Sequence, residues 1–369
     1  MDRPSTMTGP PIAGAVTRGR TIRVMIVDDS LVARTVLSRI VEAAPDCEIV
    51  AKATTGEMAI ARLGETPADV ILLDLEMPGM GGIGALPRIL ELANGGQVLV
   101  VSSLTAEGAE HTLAALSIGA ADTLLKPRAG EFDAEYGRAL IAKIRALASR
   151  PVGSDAALRR PPPASLRRSP LREKPLALAI GASTGGIHAL CLLLGALPKS
   201  FDLPILVVQH LPESFMGTLA RQLSAASGRP AVVAAAGTIA EQGRIHVAPG
   251  DGHMIVRHEG TRLVTGIAHH AVASGCTPSV DPMFESLADA VGGRALGVVL
   301  SGMGRDGAIG AARLVQAGGT LFAQDAASSA VWGMPRAVAE AGLASAVLPP
   351  EQIAARLAAI VAGAQAVRA

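Results

Sequence analysis

The chain predicts the α/β class, as two doubly wound domains each built on a parallel sheet. Three observations carry that prediction. Its 369 residues, 49% of them hydrophobic, exceed what one compact core usually needs. Short runs rich in Val, Ile and Leu alternate with helix-like stretches in both halves. Between the halves, residues 150–175 hold six prolines and seven Lys/Arg against Asp155 and Glu173, with no sustained apolar period. Proline fixes φ and removes backbone donors, so this segment reads as a semi-extended linker whose positive charge is simply solvated.

Composition excludes several classes of function. Thirty-three Lys and Arg against thirty-two Asp and Glu leave a net charge of +1, and the rings are five Phe, one Trp and one Tyr. A chain so balanced and so poor in stacking surfaces is not expected to bind nucleic acid. Cys47, Cys191 and Cys276 lie far apart without C-x-x-C spacing, which fits a reducing compartment and excludes a disulfide scaffold or a Cys-rich zinc site. All three thiols are expected to be buried. Residues 1–20 place several Pro and Arg around a short, weakly apolar stretch, too little for a secretory signal, and read as a disordered tail. The best apolar run, 189–197, has core-helix length and falls short of the ~18–20 residues of a membrane span. The expected location is the cytoplasm, without membrane insertion.

In the first domain, 21–149, the runs 24–27, 70–73, 97–101 and 123–125 predict parallel strands with helices on both faces. Ligands of such a sheet collect beyond the carboxyl ends of its strands. The polar residues there are Asp28 and Asp29, Asp74, Ser102, and Lys126 followed by Pro127. Three clustered carboxylates repel unless one is protonated or a cation neutralises them. A hard, oxygen-liganded ion such as Mg²⁺ suits the geometry and can hold a phosphoryl group. A single Asp at such a place would more simply cap the next helix.

The full set, D-D, D-x-E-M-P, S-S and K-P at successive strand ends, resembles the receiver domain of response regulators. That resemblance implies a flavodoxin-like fold with Asp74 as phosphoacceptor. It implies Mg²⁺ held by Asp28, Asp29, Asp74 and the backbone carbonyl of Glu76, with Ser102 and Lys126 on the phosphoryl oxygens. Two positions depart from the pattern: Gly81, where Asp usually precedes Gly, and Thr123, where the switch aromatic usually stands.

The second domain, 176–369, opens with a buried strand at 176–180, a tight turn at 181–186 and a helix starting at 188. The turn G-A-S-T-G-G contains G-x-S-x-G as Gly181, Ser183 and Gly185, in the strand–turn–helix setting that exposes a serine hydroxyl. A Gly-rich turn can equally cradle a pyrophosphate. Short-chain dehydrogenases, whose glycine turn is similar, need Tyr-x-x-x-Lys beyond it. The one tyrosine, Tyr136, lies upstream, with Leu140 four residues on.

Serine needs a base held in one tautomer by a third group. Of eight histidines, His210 ends the strongest downstream strand, 204–209, and strand ends of one parallel sheet converge. His246 and His253 bracket the A-P-G-D-G turn and read as loop-orienting. Absence of H-E-x-x-H argues against a histidine metal site. Asp306, in S-G-M-G-R-D-G after the strand at 295–300, is a candidate to orient His210; alone it would read as the N-cap of the helix at 308–317.

G-A-S-T-G-G, Q-H-L-P, A-P-G-D-G-H, P-S-V-D-P-M-F and S-G-M-G-R-D-G, in that order, resemble the catalytic domain of the chemotaxis protein-glutamate methylesterase (CheB) family. The likeness runs over 176–362 and implies a three-layer α/β methylesterase domain. It implies Ser183 as nucleophile, His210 as base, Asp306 as orienter, and the backbone N–H groups of Thr184 and Met303 as oxyanion hole, with no cofactor for the esterase. It further implies glutamine deamidation, methyl-accepting chemotaxis receptors as substrate, a histidine kinase as phosphodonor, and a monomer. Thr277 and Arg305 stand where Arg and Asn are frequent. A non-catalytic, phosphorylation-dependent receptor binder would share this architecture and differ in turnover. A DNA-binding regulator would need a helix-turn-helix, which the region after the linker lacks.

Overall fold

A computed structural model describes residues 20–102, 106–127, 133–149 and 174–366. The expected tail (1–20) and linker (150–175) fall outside these residues, save for Arg20, Lys174 and Pro175.

The first sheet is built from β1 (Ile22–Val27), β2 (Cys47–Ala53), β3 (Val70–Leu73), β4 (Gln97–Ser102) and β5 (Asp122–Leu125), all parallel, in the order β2-β1-β3-β4-β5. The second comprises β6 (Ala177–Ala182), β7 (Ile205–Gln209), β8 (Ala231–Val233), β9 (Ile245–Val247), β12 (Ala295–Val299), β13 (Thr320–Gln324) and β14 (Ala346–Leu348). These run parallel in the order β14-β13-β12-β6-β7-β9-β8. An antiparallel hairpin, β10 (His253–Glu259) with β11 (Arg262–Ala268), stands apart. Both domains are therefore the doubly wound parallel α/β folds expected from the sequence.

Every residue of β4, β6, β7 and β12 is buried, as strands covered by helices on both faces require. That is why they read as unbroken apolar runs. β2 escaped the sequence reading because Glu48 and Lys52 interrupt it, which an edge strand tolerates. Helix starts follow side-chain chemistry: Ser30 Oγ accepts from the Ala33 N–H at 3.3 Å, and Asp133 Oδ1 from the Tyr136 N–H at 2.8 Å.

Strand order places both functional edges. In the first sheet the chain passes from β1 outward to β2, then back across to β3, opening a crevice beyond β1 and β3. In the second, β7 lies on one side of β6 and β12 on the other, so the loops after β6, β7 and β12 meet. The domains join through the helix Ala106–Ile118, which packs on the helices Gly186–Ala196 and Glu213–Ser227 and makes their apolar cores continuous. No described helix is long and apolar enough to cross a membrane.

The expectation of three buried thiols is corrected. Cys47 is buried, whereas Cys191 and Cys276 are partly exposed. Cys276 lies in the loop that precedes the buried Ser279.

Gly82 is the second residue of the helix Gly81–Leu92 that follows β3, with its N–H on the Leu75 carbonyl at 3.1 Å. A Cβ there would lie 1.9 Å from the Asp74 carbonyl oxygen and 2.8 Å from Leu75 Cα. Backbone on both sides cannot give way cheaply. Gly82→Ala is therefore expected to destabilise the first domain by about 1–3 kcal/mol, as overpacked cores do. Thermal unfolding checks it, and an unchanged midpoint would mean that the turn carrying Asp74 adjusts freely.

Candidate active site

Two sets of polar side chains gather at the strand ends. In the first domain Asp28 and Asp74 are buried and Asp29 is exposed, with carboxylate oxygens all within 4.8 Å of one another. Lys126 Nζ reaches Asp28 Oδ2 at 2.9 Å and Asp74 Oδ2 at 2.6 Å. Burial pushes the Asp74 carboxyl up, and the Lys126 ammonium offsets only part of that rise. Burial would lower Lys126, but its bonds to Asp74 and Asp28 win and raise it.

One ammonium against three carboxylates leaves an excess of negative charge, and the donors are hard oxygens, so the residues present fit Mg²⁺. Ser102 Oγ is buried without a partner among the described residues, as a group awaiting an incoming oxygen would be. The Glu76 N–H donates to Asp74 Oδ1 at 3.2 Å, so the Glu76 backbone lies against the same carboxylate. Helix capping does not account for Asp74, because the next helix, Gly81–Leu92, has Met80 as its N-cap and no side-chain cap. Thr123, in β5, is buried, its hydroxyl without a partner among the described residues.

In the second domain Ala182 pairs with Gln209 across β6 and β7, so Ser183 and His210 leave adjacent strands side by side. The Ser183 N–H donates to the Ser301 carbonyl at 3.0 Å, and Gln209 Nε2 donates to the Ser183 carbonyl at 2.9 Å. A carboxylate only accepts, so His210 Nε2–H donates to Asp306 Oδ2, at 2.8 Å. Nδ1 is then the nitrogen with a free lone pair.

Asp306 is 2% exposed and also accepts from Ser279 Oγ at 2.7 Å and the Val280 N–H at 2.7 Å. The following helix has Gly307 as its N-cap, with no side-chain cap, so the capping role for Asp306 does not hold. Burial alone would raise Asp306, but the bonds from His210, Ser279 and Val280 hold its carboxyl well below the usual range. Burial alone would lower His210, but its bonds to Asp306 and Cys276 lift it to about 9.

Among the described residues no hydrogen bond joins Ser183 Oγ to His210. A contact of this kind often closes only with substrate in place. The Cys276 thiol stands within 4.8 Å of this His210–Asp306 pair, and its interaction with the imidazole draws it below its ordinary pKa. Sequence reasoning missed Cys276, set aside for want of a metal-like spacing although it stands three residues before Ser279. It also missed Ser279 itself, whose motif P-S-V-D was quoted without a role.

The bonds of His253 go to segments other than the A-P-G-D-G turn: Nδ1 accepts from the Ser279 N–H at 3.1 Å and Nε2–H donates to the His270 carbonyl at 2.9 Å. His246 is fully buried and accepts from the Glu241 N–H; burial pushes it down to about 4, so it stays neutral.

The two expected oxyanion donors are Thr184, which follows Ser183, and Met303, three residues before Asp306. Neither the Thr184 nor the Met303 N–H donates to a described residue. Their loops touch at Gly302, where a Cβ would fall 2.9 Å from Ser183 Cβ and 2.3 Å from Met334 Sδ. Arg305 and Thr277, the two departures, are exposed.

The first domain reaches this turn directly. Asp122, the first residue of β5, accepts from Thr184 Oγ1 at 2.6 Å and from Lys143 Nζ. The Gly185 N–H donates to the Ala121 carbonyl at 2.5 Å, and His188 Nδ1 meets the Ser117 carbonyl at 2.8 Å.

Comparison with known proteins bears on both sites. Residues 24–133 match the response regulator receiver domain and residues 178–357 the CheB methylesterase domain. A protein-glutamate methylesterase/protein-glutamine glutaminase of Caulobacter vibrioides is 46% identical, over 90% of this chain and 96% of its own. One from Paramagnetospirillum magneticum is 42% identical, over 90% and 94%. The crystal structure of the Thermotoga maritima CheB methylesterase catalytic domain superposes with a TM-score of 0.50 at 34% identity, covering 51% of this chain and 99% of that one.

His210 accepts a proton only when neutral, and its contacts lift it to about 9 from the ordinary 6.5. Hydrolytic activity is therefore expected to climb as pH rises through a limb well above 6.5. Cys276→Ala deletes one of the two raising contacts and should move that limb toward acid. A pH–rate profile of both proteins checks this, and coincident limbs would remove Cys276 from the account.

Proposed function

The chain belongs to the CheB methylesterase family, with a response regulator receiver domain ahead of the esterase, and from that premise we propose a phosphorylation-activated serine hydrolase. It demethylates glutamate methyl esters, and deamidates glutamines, on methyl-accepting chemotaxis receptors. The observation that carries this reading is the partly buried His210 bonded to the buried Asp306 beside the Ser183 turn.

The residues divide the work as follows. Ser183 Oγ attacks the γ-carbonyl carbon while its proton passes to His210 Nδ1. The imidazolium is steadied by Asp306, itself held by Ser279 and Val280. The oxyanion is met by the N–H groups of Thr184 and Met303, such donors being worth about 3 kcal/mol each. His210 then gives its proton to departing methanol, or to ammonia from a glutamine, leaving a glutamyl ester on Ser183. Water, deprotonated by His210, releases the glutamate and restores the serine.

In the receiver, Asp28, Asp29, Asp74 and the Glu76 carbonyl would hold Mg²⁺, which offsets charge so that Asp74 can accept a phosphoryl group. Ser102 and Lys126 would meet the phosphoryl oxygens, and a histidine kinase would supply the group. Lys126 follows β5 and binds Asp74, while Asp122 begins β5 and binds Thr184. A phosphoryl group that draws Lys126 away from its present partners thus displaces the strand whose other end holds the esterase turn. Two interface states follow, one masking the turn and one releasing it. In this reading residues 1–20 are a tail, 21–149 the receiver, 150–175 the linker and 176–369 the esterase of a cytoplasmic monomer.

Methanol release from methylated receptor, with and without acetyl phosphate, tests the proposal. Wild type should release methanol and Ser183→Ala should not; no release by wild type would favour a non-catalytic receptor binder. Asp74→Asn should lose the response to acetyl phosphate, and a full response would overturn the coupling. Asp122→Ala removes a charge-assisted hydrogen bond worth about 1.5–3 kcal/mol. It should raise unstimulated activity by roughly ten- to a hundredfold; an unchanged rate would show that the contact holds nothing back.

A further inference from the structure

Hydrolysis at Ser183 does not call for a thiol, yet one stands against its base. Cys276, His210 and Asp306 come from three separate segments, and their donor atoms lie within 4.8 Å of one another. The same segment supplies Ser279 and Val280 to Asp306, so holding the carboxylate also holds the thiol. The Cys276 N–H donates to Ser274 Oγ at 3.3 Å, and its sulfur lies 3.8 Å from the Ser274 carbonyl, fixing the approach further.

We propose that His210, Cys276 and Asp306 bind a borderline-soft divalent cation of the zinc type, and that the bound ion switches the esterase off. One imidazole nitrogen, one sulfur and one carboxylate oxygen form the mixed set that zinc takes and that Mg²⁺ or Ca²⁺ does not. At bonds of about 2.0–2.3 Å, a tetrahedral zinc sets its donors roughly 3.3–3.6 Å apart, so the cluster closes by about an ångström of side-chain movement. The 2.8 Å bond between His210 and Asp306 opens slightly as the ion enters. Cys276 and His210 are both partly exposed, so an ion can reach them from solvent and a water can take the fourth position.

As the ion binds, the thiol proton leaves to solvent and the Nε2 hydrogen is displaced, the ring keeping its one hydrogen on Nδ1. With the ion on Nε2 and a hydrogen on Nδ1, the imidazole has no lone pair left. Ser183 loses the group that would take its proton.

The inhibitory consequence rests on the esterase reading, but the binding does not, so the test has two arms. The first measures methanol release by the full chain, freed of metal by chelation, as ZnCl2 is added, each protein being scaled to its own zinc-free rate. Wild type should be inhibited and recover with EDTA. Losing even an outer-shell partner weakens metal sites 10–100-fold, so half-inhibition of Cys276→Ala should need at least about tenfold more zinc. The second arm titrates CoCl2 into the full chain carrying Ser183→Ala and follows the thiolate-to-cobalt absorption band. One equivalent should saturate the band, and adding Cys276→Ala should abolish it while Cys47 and Cys191 remain. Equal zinc sensitivity of both proteins, or cobalt binding without that band, would overturn the site. Zinc that binds without slowing methanol release would overturn the switch. If wild type releases no methanol at all, the esterase reading falls while the cobalt arm still decides the site.

Discussion

A carboxylate with almost no exposure keeps its charge only if donors replace the water it has lost, and Asp306 has assembled them from both sides. His210 comes from the end of β7, and Ser279 and Val280 from the start of a helix on another layer. Removing one partner from a buried charge pair costs about 3–5 kcal/mol, so these segments are bound to one another through a single side chain. Imidazole orientation, the approach of Cys276 and the shape of the loop after β12 all follow from satisfying that one charge.

Backbone and amide contacts then bring the nucleophile to the same place. Ser301, at the end of β12, accepts the Ser183 N–H and donates its hydroxyl to the Thr184 carbonyl, while Gln324 holds the Ser301 N–H at 2.7 Å. Buried side-chain amides on β7 and β13 thus do for the turn what a third strand of ladder bonds would do, without filling the crevice. The absence of a side chain at Gly302 lets the two loops lie in contact. Precision comes from loops tied to strands, which is how a parallel sheet combines a rigid frame with an accessible edge.

Coupling between the domains has an equally local basis. Asp122 is shared between Lys143 of its own domain and Thr184 of the other, which follows Ser183 and is itself an expected oxyanion donor. Thr123, where an aromatic would usually relay a signal, is small and buried, so the neighbouring charged residue is the one that touches the enzyme. A continuous apolar core behind it makes this a docked arrangement rather than a loose encounter.

The alternation of apolar runs with polar residues at their ends was enough to mark Asp28, Asp29, Asp74, Ser102, Lys126 and His210, while Ser183 and Asp306 stood out through the glycine-rich turns that carry them. A strand buried on both faces admits little but Val, Ile, Leu and Ala, so the first polar residue beyond it stands out. β2 was not legible, because half-exposed edge strands carry charge. Cys276 and Asp122 were not legible either, since neither ends such a run nor repeats at a structural period. Their partners were settled only when distant segments folded together: Asp122 meets Thr184 across 62 residues, through domain docking that no local pattern encodes.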